Sequence, residues 1–433
     1  MGLGGSVGNS NLCGPLGLAV VMKKLDLSAI LDSDDPPVPG GIRTESGRRT
    51  VTAGELRESL RPHLSSYGIT RVAHLTGFDS VGLPVHMAVK PQGKTLSSGS
   101  GKGSTRDASW VSAVMECCEQ TVWENLDLET MTASRSMLLR LGLEVAECDV
   151  LPQIKGSLWS DELPTEWVAG WDIVSGCEVW VPESIVTVNL SGNRNLHPFV
   201  SGSNGLASGA HILEALLSAL QEAIERDGLV LRTAIDPAPH LSGIELLRSV
   251  APSVADCVDR SGLLLEVVDA TTEIGVPVVA AYLHEAPGGQ TGSFKGMGAA
   301  PSASTALVRA VTEAAQGRCL IVAGARDDIF ETARAASTRV RSTPRDAPQE
   351  PLRAGVDHTT SSLQGDLEWM VSRLVDSGFK QVIVFRHTNP SDPVQVARVV
   401  VPGLEGYPFS YAETGPRAAK LKAQMQQRQV VKK

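Results

Sequence analysis

Apolar positions recur along the chain with two periods, one near 3.6 residues and one near two, which predicts long helices interleaved with short strands. A helix is expected from Thr52 to Leu64, with Thr52 as N-cap and Glu55 at the capping-box position. Further helices are expected from Arg106 to Leu126, from Ser208 to Asp227 and from Ala303 to Gly317; the one at 208–227 has the strongest pattern. Strand patterns fall at Gly68–Leu75, Pro84–Lys90, Glu178–Val181, Ile185–Val188, Leu263–Val268, Val276–Tyr282, Cys319–Ala323 and Val382–Arg386. Ser97–Gly103 reads as a Gly/Ser loop carrying one lysine. This order of elements implies an α+β chain. A Gly/Pro-rich segment (1–50, broken at Pro36–Gly41) precedes a folded region at 51–415. A basic polar tail, 416–433, reads as a frayed helix or as disordered.

Composition narrows the function classes. The 433 residues carry 39 Lys+Arg against 48 Asp+Glu, a net charge of -9, so no nucleic-acid platform is indicated. No apolar run reaches the ~18 residues of a membrane span, and Met1–Leu16 lacks the basic start and apolar core of a secretory signal. Met1–Ser6 fits the loose myristoylation pattern and reads as a plain terminus. The seven cysteines show no CxxC spacing, and a reducing cytoplasm is the compartment they point to.

The chemistry lies in acidic stripes on helices. Ser112, Glu116 and Glu119 follow each other at four and three residues and share one face, opposite Val111, Val114, Met115 and Val122. Glu214, Glu222 and Glu225 fall within one sector of the next long helix, which is apolar elsewhere. Arg309, Glu313 and Gln316 repeat the four-then-three spacing on the third. Such stripes are either solvated faces or a cation site. Five Glu with hardly any Lys or Arg beside them on two faces repel one another unless protons or cations neutralise them. Mg²⁺ bridging carboxylates to phosphate oxygens would do so, with Lys102, Arg309 and the Ser97–Gly103 backbone as phosphate donors.

The ordered set of segments resembles the YcaO family. The matching stretches are Gly68–Ala73, Ser100-Gly101-Lys102-Gly103, Ser112-x3-Glu116-x2-Glu119, Trp167–Pro182 and Ser203–Gly209. They continue with Glu214-x7-Glu222-x2-Glu225-Arg226-Asp227, Arg309–Gln316 and Val401–Glu405. The resemblance covers about 40–415 and implies mixed sheets packed with long helices around an ATP/Mg²⁺ site. It further implies ATP-dependent O-phosphorylation of a backbone amide in a ribosomally made precursor peptide, the oxygen then leaving as phosphate in favour of another heteroatom. By that match Glu116, Glu119, Glu214, Glu222 and Glu225 hold Mg²⁺. Ser112, Lys102, Asn204, Arg226, Arg309, Gln316 and, more loosely, Arg43 contact the nucleotide. Arg309, Glu313 and Lys102 serve the phosphoryl transfer.

The sequence departs from the family at Gln120 and Ala210, where many members carry Arg and a polar residue. The Pro-x-Pro-x-Pro tail of the azoline-forming branch is not seen, and Gly324–Asp328 looks similar to the thioamide-forming branch that works with a TfuA partner. The expected product is therefore a thioamide. An azoline-forming cyclodehydratase, a nucleotide-binding accessory subunit and a Mg²⁺-dependent ligase are the alternatives. A TfuA-like or other partner protein is expected to bring the substrate, and a second copy of the chain is a further candidate partner. Cys117, Cys118, His211 and the tryptophans Trp159, Trp167, Trp171 and Trp180 read as packing residues. Neither a P-loop nor a dinucleotide fingerprint occurs.

Overall fold

The structure, a computed structural model, describes residues 25–35, 41–45, 47–187, 197–234, 241–285, 292–325, 356–406 and 410–431. Most of the Pro36–Gly41 breaker, Met1–Leu16 and Arg326–Asp328 lie outside them. The expected capping box is formed. The Thr52 hydroxyl accepts from Glu55 N, and the Glu55 carboxylate accepts from Thr52 N, starting α1 (Ala53–Leu60). Arg61-Pro62 then tightens the chain into a 3₁₀ segment, Arg61–Tyr67, where the sequence pattern predicted more α-helix.

Strands β1 (Ile42–Thr44) and β2 (Gly47–Arg49) form a hairpin, and β3 (Arg71–His74), β4 (Val85–Val89) and β5 (Ser98–Lys102) an antiparallel sheet. A larger sheet begins with β6 (Met131–Ala133), β7 (Thr165–Asp172), β8 (Cys177–Pro182) and β9 (Leu206–Gly209). Another comprises β10 (Leu241–Ser242), β11 (Leu264–Asp269), β12 (Val278–His284) and β13 (Ser293–Ala299). Finally β14 (Ile383–Arg386) and β15 (Gln395–Val400) complete the larger sheet, in the order β6-β7-β14-β15-β9 with β8 also on β7. The remaining helices are α2 (Arg106–Glu124), α3 (Arg135–Arg140), α4 (Glu183–Val186), α5 (Ile212–Ala234), α6 (Gly243–Val250), α7 (Pro252–Arg260), α8 (Ala303–Val322), α9 (Leu363–Asp376) and α10 (Pro416–Val431).

Four expectations are corrected. Ser98–Lys102 is a strand and not a loop, because its glycines lie against α2: a Cβ on Gly99 or Gly101 would collide with the backbone around Ala113. Cys319–Ala323 continues α8 as far as Val322, and Ile185–Val188 begins inside the short helix α4. The long central helix starts at Ile212, since Leu206–Gly209 pairs with β15. The tail 416–431 is helical.

Helix α5 lies at the centre. Ile212, Leu213, Leu216, Leu220 and Ile224 are fully buried among residues of β12, β13, β15 and α9. Leu25, Leu27 and Ile30, from the segment before residue 51, pack into the same core. Trp159 and Trp167 pack with Phe199 in a second cluster, as expected of packing residues.

Candidate active site

Three helices reach one another through close strand–helix packing. Gly99 and Gly101 let α2 approach β5, and Gly296 and Gly298 let α8 approach β13, where a Cβ would collide with the backbone at Ala310 and Ala306. Lys102, at the end of β5, then reaches Glu313 on α8 at 2.5 Å. Gln316 donates to the Ser100 hydroxyl at 2.9 Å, and Ser100 N donates to Glu116 at 2.7 Å. Ser112 sits one turn before Glu116 on the same face of α2.

The α5 carboxylates complete the row. Glu222 accepts from Gly205 N at 3.1 Å and pairs with Arg226 at 3.2 Å. Gly205 has φ +74° and lies against the Val399 carbonyl, a place no side chain can occupy, so the Asn204-Gly205 turn is fixed by glycine. Burial pushes Glu119 well above the ordinary carboxylate range, the neighbouring Glu222 and Glu116 adding to it while Ser208 and Arg226 oppose it. Glu222 is likewise raised by burial, against the pull of Arg226 and Arg398. Glu225 is pushed up to about 7 by burial and by Glu313, with Arg309 and Lys102 opposing. Glu116, Glu119, Glu222, Glu225 and Glu313 are thus one electrostatic group, flanked by Lys102 and Arg309 on one side and by Arg226 and Arg398 on the other.

Two expected members stand apart. Glu214 is buried, but its carboxylate accepts from the Thr50 hydroxyl at 2.6 Å, from Thr50 N, and from Ala210 N at 3.3 Å. Arg49 is its cationic neighbour and also feels Arg309. Sharing a helix sector with Glu222 does not bring it close, because eight residues is about 12 Å along the axis. Arg43 is more than half exposed and binds Asp357 and Thr359 rather than the carboxylate row. Arg309 donates to Gln221 at 2.5 Å. Among the described residues no group of three or more acidic, His or Cys side chains is drawn together tightly enough to hold a bare ion. The row fits Mg²⁺ that arrives with phosphate oxygens completing its shell: burial raises Glu119, Glu222 and Glu225, a cost that a bound cation removes.

Sequence reasoning missed Arg398, Ser208, Gln221 and Ser100. Arg398 had a signal, a lone charge inside the apolar run Val394–Val401. It is 2% exposed and donates to Val186 O at 3.3 Å and Gly202 O at 2.7 Å. With Asn204, Arg226, Ala223, Val200 and Leu404 it lines a cavity of about 310 Å³ at this end of the row. The Asn204 Oδ1 is buried with no hydrogen-bond partner among the described residues. Cys117 and Cys118 are buried and pack in the core as expected: burial pushes Cys117 up to about 12 and Cys118 well above its ordinary value. His211 accepts from Leu213 N at 3.1 Å at the start of α5, a structural role.

The family model described as YcaO cyclodehydratase, ATP- and Mg²⁺-binding, matches residues 100–405. The chain belongs to the YcaO family. It is therefore one of a family of ATP-dependent enzymes that modify peptide backbones, with ATP and Mg²⁺ as the family's ligands. A protein of Rhizobium leguminosarum bv. trifolii, described as uncharacterized and in the tfuA 3′ region, is 33% identical over 403 residues, 86% of this chain and 92% of the relative. An uncharacterized protein of Methanothermobacter thermautotrophicus is 30% identical over 388 residues, 85% of this chain and 98% of its own length. Among solved structures, YcaO from Methanopyrus kandleri bound with AMPPCP and Mg²⁺ is similar in fold, at TM-score 0.66 and 24% identity over 86% of this chain and 96% of that one. No described helix is long and apolar enough to cross a membrane.

Proposed function

We propose that this YcaO enzyme phosphorylates a backbone amide oxygen of a ribosomally made precursor peptide, and that an external sulfide then adds to the amide carbon as phosphate leaves with that oxygen, giving a thioamide, with a TfuA-like partner. The observation that carries the reading is the row of carboxylates from α2, α5 and α8, close enough to raise one another, between two cationic poles. Glu116, Glu119, Glu222 and Glu225 would hold Mg²⁺ on one edge of a triphosphate. Lys102 and Arg309 would receive the charge that develops on the transferring group, and Glu313 orients Lys102 by their ion pair. Gln316 and Ser100 fix Glu116 through hydrogen bonds, and Gly205 N and Arg226 fix Glu222. Glu214, buried at the N-terminal end of α5 with Thr50, and Ser112 would serve the nucleoside end. When bound, magnesium nucleotide supplies the phosphoryl group that turns the amide oxygen, a very poor leaving group, into a departing phosphate. Sulfur as the incoming atom is supported by the relative in the tfuA 3′ region.

Mass spectrometry of the precursor peptide after co-expression with this chain and a TfuA-like protein tests the product. A peptide heavier by the difference between sulfur and oxygen is expected. One lighter by a water would mean azoline formation and overturn the thioamide assignment. Heavy oxygen placed in the target amide is expected in the released phosphate, and its retention in the peptide would overturn amide activation.

A further inference from the structure

Lys295 is a cation beside the carboxylate row to which the ion-binding reading gives no role. It lies on β13, the last strand of its sheet, where side chains alternate between the two faces. Gly296 and Gly298 face α8 so closely that a Cβ on either would lie 2.8 Å from the Cβ of Glu313 or of Arg309 respectively. Lys295 and Met297 face the other way, and Met297 belongs to the core around α5. Helices α5 and α8 thus cover opposite faces of the sheet, and Glu225 and Glu313 act on each other around its β13 edge. Lys295 stands at that edge, one residue from the glycine that touches Glu313.

The residue is exposed, yet enough protein surrounds its ammonium to lower it from the ordinary lysine value, with Glu313 and Glu225 opposing. A solvated lysine in this place would fold onto one of the two acids. Glu313 is instead paired with Lys102 at 2.5 Å, and among the described residues Lys295 forms no ion pair. Glu225 stays raised to about 7, with Arg309 and Lys102 as the cations that oppose the rise. An ammonium has three donors, and here neither acid takes them. Lys295, Lys102 and Arg309 therefore approach the same pole of the row from three elements, β13, β5 and α8. A phosphoryl group in transfer spreads its charge over three equatorial oxygens, which is the anion such a set of donors fits. We infer that Lys295 is a third cation for the transferring phosphoryl group, reaching it from the β13 edge. The inference rests on the reading of the row as a magnesium–nucleotide site. Lys295 forms no covalent bond in this role. It holds the oxygens while the bond from phosphorus to the bridging oxygen breaks and the bond to the amide oxygen forms.

Titration calorimetry on the full chain with Mg²⁺ tests this by comparing AMPPCP, which carries the terminal phosphoryl group, with ADP, which lacks it. Lys295→Gln should weaken AMPPCP by at least about tenfold, the loss of a charged hydrogen bond, and leave ADP within about twofold. Lys295→Arg, which keeps the charge, should restore most of the AMPPCP affinity. Lys380→Gln, which removes the same charge from an exposed pair with Glu147, should change neither nucleotide. Equal weakening of AMPPCP and ADP by Lys295→Gln, or weakening of neither, would overturn the inference. So would a loss in Lys380→Gln as large as in Lys295→Gln, which would trace the effect to net charge. If the unaltered chain binds neither nucleotide, the nucleotide-site reading itself has failed and the inference falls with it.

Discussion

Glu225 is the carboxylate whose titration falls where a protein works. Its ordinary value is 4.5, and burial with Glu313 nearby lifts it to about 7 in the folded chain. Between those values the folded state holds a proton that the unfolded state has lost. The stability that this proton confers is complete below about 4.5 and disappears as pH rises through about 7. The ligand-free chain should therefore lose stability as pH rises from 4.5 to about 7. Mg·AMPPCP added at pH 6.5 should release a proton, read from the buffer dependence of the calorimetric heat. Glu225→Gln should flatten the stability profile and reduce the release; an unchanged profile would contradict the assignment. This residue's face was legible from spacing alone. Its acidity was not, because Glu313 is 88 positions away and reaches it only after α8 packs on β13. Glu214 shows the converse, a shared face without proximity, and Arg398 was overlooked because its apolar neighbours read as plain strand.

At the scale of elements, two strands with alternating glycines, β5 and β13, each carry a long helix at backbone contact. The glycines of Ser97–Gly103 look like a loop in the sequence because local propensity disfavours them in strands; the helix that needs their missing side chains is what makes them strand residues. The capping box at Thr52 was legible because all its partners are local. The helical tail at α10 was read only as frayed or disordered, since what holds it is distant. Arg417 binds the Asp227 carboxylate and pairs with Glu273 at 2.6 Å, lies over Phe379, and so ties α10 to the residue next to Arg226. Asp227 is wholly buried, and burial pushes it up to about 6 against the pull of Arg417. Arg417→Gln should cost on the order of 3 kcal/mol in urea unfolding, because the buried acid loses its cation, and should expose α10 to proteolysis. A cost below about 0.5 kcal/mol would mean that α10 is held by its apolar contacts alone.

For the molecule as a whole, net charge -9 and a row of buried acids look unsuited to a tetra-anionic ligand. Local placement resolves this. Lys102 and Arg309 stand at one end of the row and Arg226 and Arg398 at the other, so cations and donors surround the position between helices that come from three separate stretches of chain. That convergence is tertiary, and the motif order was its only trace in the sequence. The most direct measurement is titration calorimetry of AMPPCP into the full chain with and without Mg²⁺, repeated with Glu119→Gln and Glu222→Gln. Binding that requires Mg²⁺ and falls by at least about 100-fold in either variant is predicted, the loss of a charged ligand to the ion. Nucleotide binding of equal strength without Mg²⁺, or undiminished in both variants, would contradict the account.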